Sequence, residues 1–253
     1  MFIVLKKRNL LIVLLVLLAT VALLPGVYYT DAAEVYFGGT ARKLPVYGVD
    51  TPERVIALTF DAAWGADKTL EILKILKEYD ADATFFLVGF WIEKYPELVV
   101  KIAEAGLEIG NHSQNHLNMP RLNAVEQKKE IESVNVQIEA LTKRHPLFFR
   151  APFGDYNDKL MTTIEELGMI GIQWSIDTLD WKGLSATEIE RRVVPRAKNG
   201  DIVLMHNNSD HILEALQLIL MGLKNKGFKF VSLDELVMRE NYYIDHNGIQ
   251  RAR

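Results

Sequence analysis

Val55-Ile56-Ala57-Leu58-Thr59-Phe60 is a short apolar run that ends on a carboxylate, Asp61. It shows no alternation, so it suits a strand buried on both faces rather than one with a wet side. The period then changes: Ile72, Ile75, Leu76 and Tyr79 recur at helical spacing. Thr84–Val88 is a second strand and Glu93–Ala105 a second helix. A short strand over Leu107–Gly110 precedes a long helix with Ile131, Val134, Ile138 and Leu141 on one face. The pattern continues with strands at Leu147–Phe149, Ile170–Ser175, Ile202–Met205 and Phe228–Val231. The helices between and after them are Asp158–Leu167, Ala186–Ala197, the segment of Leu213, Leu216, Leu220 and Leu223, and Leu233–Val237. Strands alternating with helices predict an α/β fold on a parallel sheet, either open or closed into a barrel. No sequence repeat accompanies the alternation, which argues against a solenoid.

The whole chain is consistent with a globular protein. It has 253 residues, 49% of them hydrophobic and 25% charged, with a net charge of −4. Cysteine is absent, which excludes disulfides, thiol catalysis and sulfur-ligated metal. Any metal must be held by His, Asp or Glu. The mild acidity, with no basic run beyond Lys6-Lys7-Arg8, argues against a nucleic-acid partner.

Leu10–Leu24 is apolar apart from Thr20, follows that basic triplet, and stops at Pro25-Gly26. This is the form of an export signal. With Val27, Tyr28 and Tyr29 it reaches the roughly 20 residues a bilayer span needs. Residues 1–29 are therefore expected to be a transmembrane signal-anchor, with the rest of the chain outside the cell membrane. Secretion after cleavage near Ala32 or Ala33 is the alternative. Residues 30–53, with Gly38-Gly39, Pro45 and Pro52, read as a tether. The folded domain is expected over 54–240, and 241–253 read as a patternless tail.

In parallel α/β folds, ligands bind at the carboxyl ends of the strands. Here those ends carry Asp61, His112 and His116, Arg150, Asp177 and Asp180, and His206. An Asp after a strand is by itself more often a helix cap, and a lone His pair is more often solvated. Agreement at five strand ends points instead to one shared site. The His112/His116 spacing suits two imidazoles on one side of a helical turn, as metal ligands require. Without cysteine, such a site suits zinc or another borderline divalent ion. Asp61 is placed to act as a base, His206 as an acid, and Asp180 to orient the histidine.

At these residues the chain resembles the polysaccharide deacetylases of carbohydrate esterase family 4. Five blocks carry the resemblance, in family order, across about residues 54–240. They are Thr59-Phe60-Asp61, His112-Ser113-Gln114-Asn115-His116, Arg150-Ala151-Pro152-Phe153-Gly154, Asp177-Thr178-Leu179-Asp180-Trp181 and Leu204-Met205-His206. The resemblance implies a distorted (β/α)7 barrel and metal-dependent removal of N-acetyl groups from a cell-wall-type glycan. It makes Asp61 the base, held by Arg150, and His206 the acid, tuned by Asp180. His112 and His116 become metal ligands, Trp181 and Leu204 line the acetyl pocket, and the Phe153 main-chain N–H helps bind the oxyanion.

One departure stands out. The family's first motif places a second, metal-binding aspartate after the base; here that residue is Ala62, in Asp61-Ala62-Ala63-Trp64-Gly65. Sporulation-type members of the family resemble this variant. Either the two histidines hold metal with water and substrate, or another oxygen (Asp61, Asp67 or Asn207) substitutes, or the protein is a metal-free glycan binder using Trp64, Phe153 and Trp181. A small-amide hydrolase on the same barrel is a third reading, which the export segment disfavours.

Overall fold

The opening run becomes β2, Val55–Ala62, with every residue buried. A computed structural model describes residues 42–253. The expected membrane anchor, and the tether up to residue 41, lie outside the described residues. Among the described residues no helix is long and apolar enough to cross a membrane.

Around β2 the sheet is built from β3 (Thr84–Leu87), β4 (Glu108–Asn111), β5 (Phe148–Phe149), β6 (Ile170–Gly171), β7 (Ile176–Asp177), β8 (Ile202–His206) and β9 (Lys229–Val231). Its order is β6-β5-β4-β3-β2-β8-β7, with β9 also paired to β2. All these pairings are parallel, so every strand delivers its carboxyl end to one rim. The sheet curls into an incomplete barrel, as expected of the distorted (β/α)7 class.

The connecting helices are α1 (Thr69–Glu78), α2 (Gly89–Lys94), α3 (Pro96–Glu104), α4 (Ala124–Thr142), α5 (Asp158–Glu166), α6 (Ala186–Val193), α7 (Ile212–Asn225) and α8 (Leu233–Leu236). Local sequence sets their ends. Asn123 with Glu126 and Ser185 with Glu188 form capping boxes at α4 and α6. The single helix expected over 93–105 is two, because Pro96 has no N–H to continue α2 and instead opens α3. The stripe Ile72, Ile75 and Leu76 of α1 is buried as its spacing predicts. Each such side chain contributes about 1.5–3 kcal/mol relative to exposure.

Two further expectations are corrected. The run Ile170–Ser175 is not one strand: Ile170-Gly171 pairs with β5 as β6, while Ile176-Asp177 pairs with β8 as β7. The ladder opens between them, and residues before Arg54 enter that seam. Val46 bridges Ile172 in parallel and Gly48 bridges Asp201 in antiparallel fashion. Val46 and Val49 are buried. β1 (Gly48–Val49) pairs with β11 (Ile249–Ala252), which forms a hairpin with β10 (Tyr242–Ile244). The folded unit therefore runs from Lys43 to Arg253, not over 54–240. Residues 43–53 are not a tether, and 241–253 is not a loose tail. These strands escape a periodicity search because each is only a few residues long, and β1 is fixed by a partner about two hundred positions away in β11.

Candidate active site

Asp61 and His206 stand opposite each other in the β2–β8 register. Arg150 lies at the end of β5 with no exposed surface. Its Nη1 donates to Asp61 Oδ1 at 2.7 Å and its Nη2 to the Gln173 carbonyl at 3.1 Å. The guanidinium lies over the Phe86 ring, 4.1 Å from its centroid. Burial alone would raise the Asp61 pKa, but Arg150, His112 and His206 outweigh it and hold the carboxylate ionised, below its usual range. A buried anion with that pKa is a base supplied with its countercharge.

His206 is organised in the opposite sense. Its Nδ1 donates to Asp180 Oδ1 at 2.7 Å and its backbone N–H to Asp180 Oδ2 at 2.8 Å. Ser209 Oγ gives Asp180 a further bond at 3.0 Å. Burial would lower the His206 pKa, but Asp180 overrides it and raises the imidazole, favouring the protonated form. The two groups thus have pKa values pushed apart, the relation expected of a base and an acid sharing a site.

His112 and His116 do come together, with ring centroids 5.0 Å apart, but not on a helical turn. Residues 112–118 form a loop in which Ser113 and His116 have φ of 66° and 53°. Ser113 Oγ accepts the His116 N–H at 3.1 Å, and Glu130 accepts the Asn115 N–H at 2.8 Å. Short polar side chains here replace helical hydrogen bonding.

His112 Nδ1 bonds the Arg150 carbonyl at 2.8 Å, so it carries the proton and turns the Nε2 lone pair toward Asp61 Oδ2, 3.4 Å away. Two acceptors at that separation call for a cation or a proton between them. His116 Nδ1 is buried without a hydrogen-bond partner. Burial, with His112 beside it, pushes the His116 pKa down to about 4, so its ring is neutral at ordinary pH. These features fit two imidazole ligands of a divalent ion. Ala62 is fully buried and offers no donor, and among the described residues no three His, Asp or Glu side chains are grouped to hold a metal; of the substitute oxygens, Asp61 Oδ2 lies 3.4 Å from His112 Nε2. Asp67 does not line the cavity. The Asn207 amide nitrogen is committed to Gly65 O and Thr69 Oγ1 at 3.1 Å each.

The other expected residues converge on the same cavity of about 630 Å³. Leu204 forms part of its buried wall, while Phe153 and Trp181 stand exposed at its rim. Phe153 has φ 62°, ψ 3°. A bulky residue held in the left-handed region costs on the order of 1 kcal/mol or more, so the surrounding structure must hold this turn.

Gln173 is a residue that sequence reasoning misses. It is buried, its N–H donates to Val46 O at 2.7 Å, and its carbonyl holds Arg150. Its Nε2 donates to Gly154 O at 3.0 Å. One residue thus joins the seam and the base's partner through its main chain, and the Phe153 turn through its side chain. The available signal is a lone amide inside the apolar run 170–175.

The polysaccharide deacetylase family model matches residues 48–172. A peptidoglycan-N-acetylglucosamine deacetylase of Bacillus cereus is 37% identical over 194 residues, covering 75% of this chain and 91% of its own length. Protein YlxY of Bacillus subtilis is 32% identical over 193 residues, 76% of this chain; the match spans only 60% of that longer protein. Among solved structures, a wild-type pseudoenzyme of carbohydrate esterase family 4 from Bacillus anthracis superposes with a TM-score of 0.74 at 32% identity, covering 83% of this chain and 73% of its own. A mutant of that pseudoenzyme with restored enzymatic activity gives 0.73 at 36% identity, covering 76% and 70%. With the five motif blocks gathered on one rim, the chain belongs to the polysaccharide deacetylase family, carbohydrate esterase family 4.

Proposed function

We propose that the protein removes N-acetyl groups from the amino sugars of peptidoglycan or a similar cell-wall glycan. The observation that carries this reading is the Asp61–His206 pair, each member held by its own opposite charge at 2.7 Å. Asp61 takes a proton from the attacking water. His206, charged through Asp180, returns a proton to the departing amine. The Phe153 N–H faces the negative charge that develops on the acetyl oxygen, while Leu204 and Trp181 enclose the methyl group. General acid and base catalysis at this level contribute about 10²–10⁴ in rate each. His112 and His116 would hold a divalent ion, zinc by ligand type, which when bound polarises the acetyl carbonyl and acidifies water. Peptidoglycan deacetylases among the relatives support the choice of polymer.

The measurement is acetate release from N-acetylated glycans by the full chain, with metal and with chelator. Metal-dependent acetate is expected, and no release from any such glycan would remove the reading. Ala62, together with the likeness to a pseudoenzyme, favours one other reading, a glycan binder without turnover; glycan binding with no acetate would select it. We place the protein at the outer face of the cell membrane through residues 1–29, on the strength of the basic flank and apolar run. Membrane fractionation with and without that segment tests the placement, which fails if both forms stay soluble.

A further inference from the structure

The sheet is open between β6 and β7, and residues that belong to none of the five motif blocks fill the gap. The Val46 N–H donates to the Gly171 carbonyl at 2.8 Å, and the Val46 carbonyl accepts from the Gln173 N–H at 2.7 Å. On the other side Gly48 bridges Asp201, and the Val49 N–H donates to the Gly200 carbonyl at 2.9 Å. Residues 45–49 therefore form a strap across the seam. The rest of the domain is shaped to receive it. Gly200 has φ +77°, and a Cβ there would lie 1.8 Å from the Val49 carbonyl oxygen. Gly248 has φ +80°, and its Cβ would lie 2.2 Å from the Tyr47 ring. At both positions glycine supplies the turn and the room.

The strap leads directly to the catalytic base. Gln173, whose N–H it holds, offers its own carbonyl to Arg150 Nη2 at 3.1 Å, and Arg150 Nη1 reaches Asp61 Oδ1 at 2.7 Å. Arg150 Nε is buried without a hydrogen-bond partner. The guanidinium is thus oriented by two hydrogen-bonding groups, Asp61 itself and the Gln173 carbonyl. A shift of that carbonyl would release the arginine on its only side independent of the base. Val46 has no exposed surface. It belongs to the same apolar cluster as Phe86, the ring beneath the guanidinium. Tyr47 Oη bonds Tyr156 Oη at 3.2 Å, so the strap also grips the chain just past the Phe153 turn.

We propose that Val46 is a positioning residue: by fixing the Gln173 main chain it orients Arg150, and through Arg150 the base Asp61. Turnover then depends on the strap 45–49 although the strap touches no substrate. The effect on turnover rests on the deacetylase reading above; the effect on Arg150 does not.

The test compares full-chain Val46→Pro and Val46→Ala with Leu236→Ala, a control that shortens another buried side chain of the same cluster. Proline removes the N–H bonded to Gly171, whereas alanine keeps it and loosens the packing. For each zinc-loaded protein, kcat and KM for acetate release are measured together with Tm and amide hydrogen exchange. Val46→Pro is expected to lower kcat about 10–10²-fold with KM nearly constant, and Val46→Ala several-fold. Leu236→Ala should lower Tm comparably and keep the wild-type kcat. Exchange should quicken at residues 150–154 in both Val46 variants and stay unchanged at 204–206. Wild-type kcat in both Val46 variants, or a fall in kcat shared by Leu236→Ala, overturns the proposal. If proline prevents folding, Val46→Ala carries the same comparison. If the wild type itself releases no acetate, the deacetylase reading falls and exchange decides alone: quicker exchange at 150–154 keeps the positioning role, and unchanged exchange ends it.

Discussion

The two halves of the cavity are built to different standards. On the acid–base side, Asp61 and His206 each have a buried, oppositely charged partner, and that partner is itself held by further hydrogen bonds. On the metal side there are two imidazoles and an alanine, with one buried ring nitrogen left without a partner. The first half has its charges paired as folded, although Arg150 Nε is buried without a hydrogen-bond partner; the second has no paired charge of its own. The Asp61–Arg150 and His206–Asp180 pairs keep their geometry beside Ala62, because the β2–β8 register, not a metal, sets Asp61 against His206.

The sharpest way to break the comparison is to remove the acid. His206→Ala should lower turnover by about 10²–10⁴ while metal content, measured on the same sample, stays unchanged. Loss of metal as well would show that the halves are not separate. The second test completes the weaker half. Ala62→Asp places a carboxylate in a fully buried position, where an unpaired charge is costly. Its Tm should fall in chelator and recover with zinc, and zinc affinity should rise at least about tenfold. Unchanged affinity would mean that another ligand already occupies the position.

The third test is milder. Gln173→Ala removes only the side-chain bond to Gly154 and leaves its carbonyl on Arg150. The expected result is a several-fold fall in kcat with KM nearly constant, recovered by Gln173→Glu only at pH low enough to protonate the new carboxyl. A matching loss in KM would make the residue structural. The smallest effect lies away from the cavity. Burial raises the Glu108 pKa from 4.5 to about 7, with Thr84 Oγ1 at 2.9 Å and the Asp234 N–H at 3.1 Å as its partners. A carboxyl raised on folding binds its proton more tightly in the native state, so its contribution to stability is greatest below pH 4.5 and is lost as pH rises toward 7. Glu108→Gln should flatten that part of the pH–Tm curve and leave acetate release unchanged.

The acid–base half is also the half that can be read from sequence. Asp61 and His206 follow uninterrupted apolar runs, so the alternation of strand and helix places them on one rim before any contact is known. Arg150 and Asp180 follow from their own strand ends. The seam cannot be read this way. Val46 sits between Pro45 and Gly48 in a segment too short to show a period, and its partners Ile172 and Gln173 lie in a run that looks like one strand but is two. Gln173 therefore passes as strand interior, although its main chain is what holds Arg150. The His112/His116 pair is legible as a pair and misleading as a helix, since the bonds of Ser113 and Glu130 that shape the loop cannot be inferred from spacing.

The central claim is that an intact acid–base pair works beside a metal held by two histidines. Zinc titration of the metal-stripped full chain, with acetate release from an N-acetylated glycan as the readout, tests it most directly. The account predicts no acetate without metal and a rise to a plateau as zinc is added, absent in His206→Ala. No acetate at any zinc concentration, with zinc bound, would contradict it.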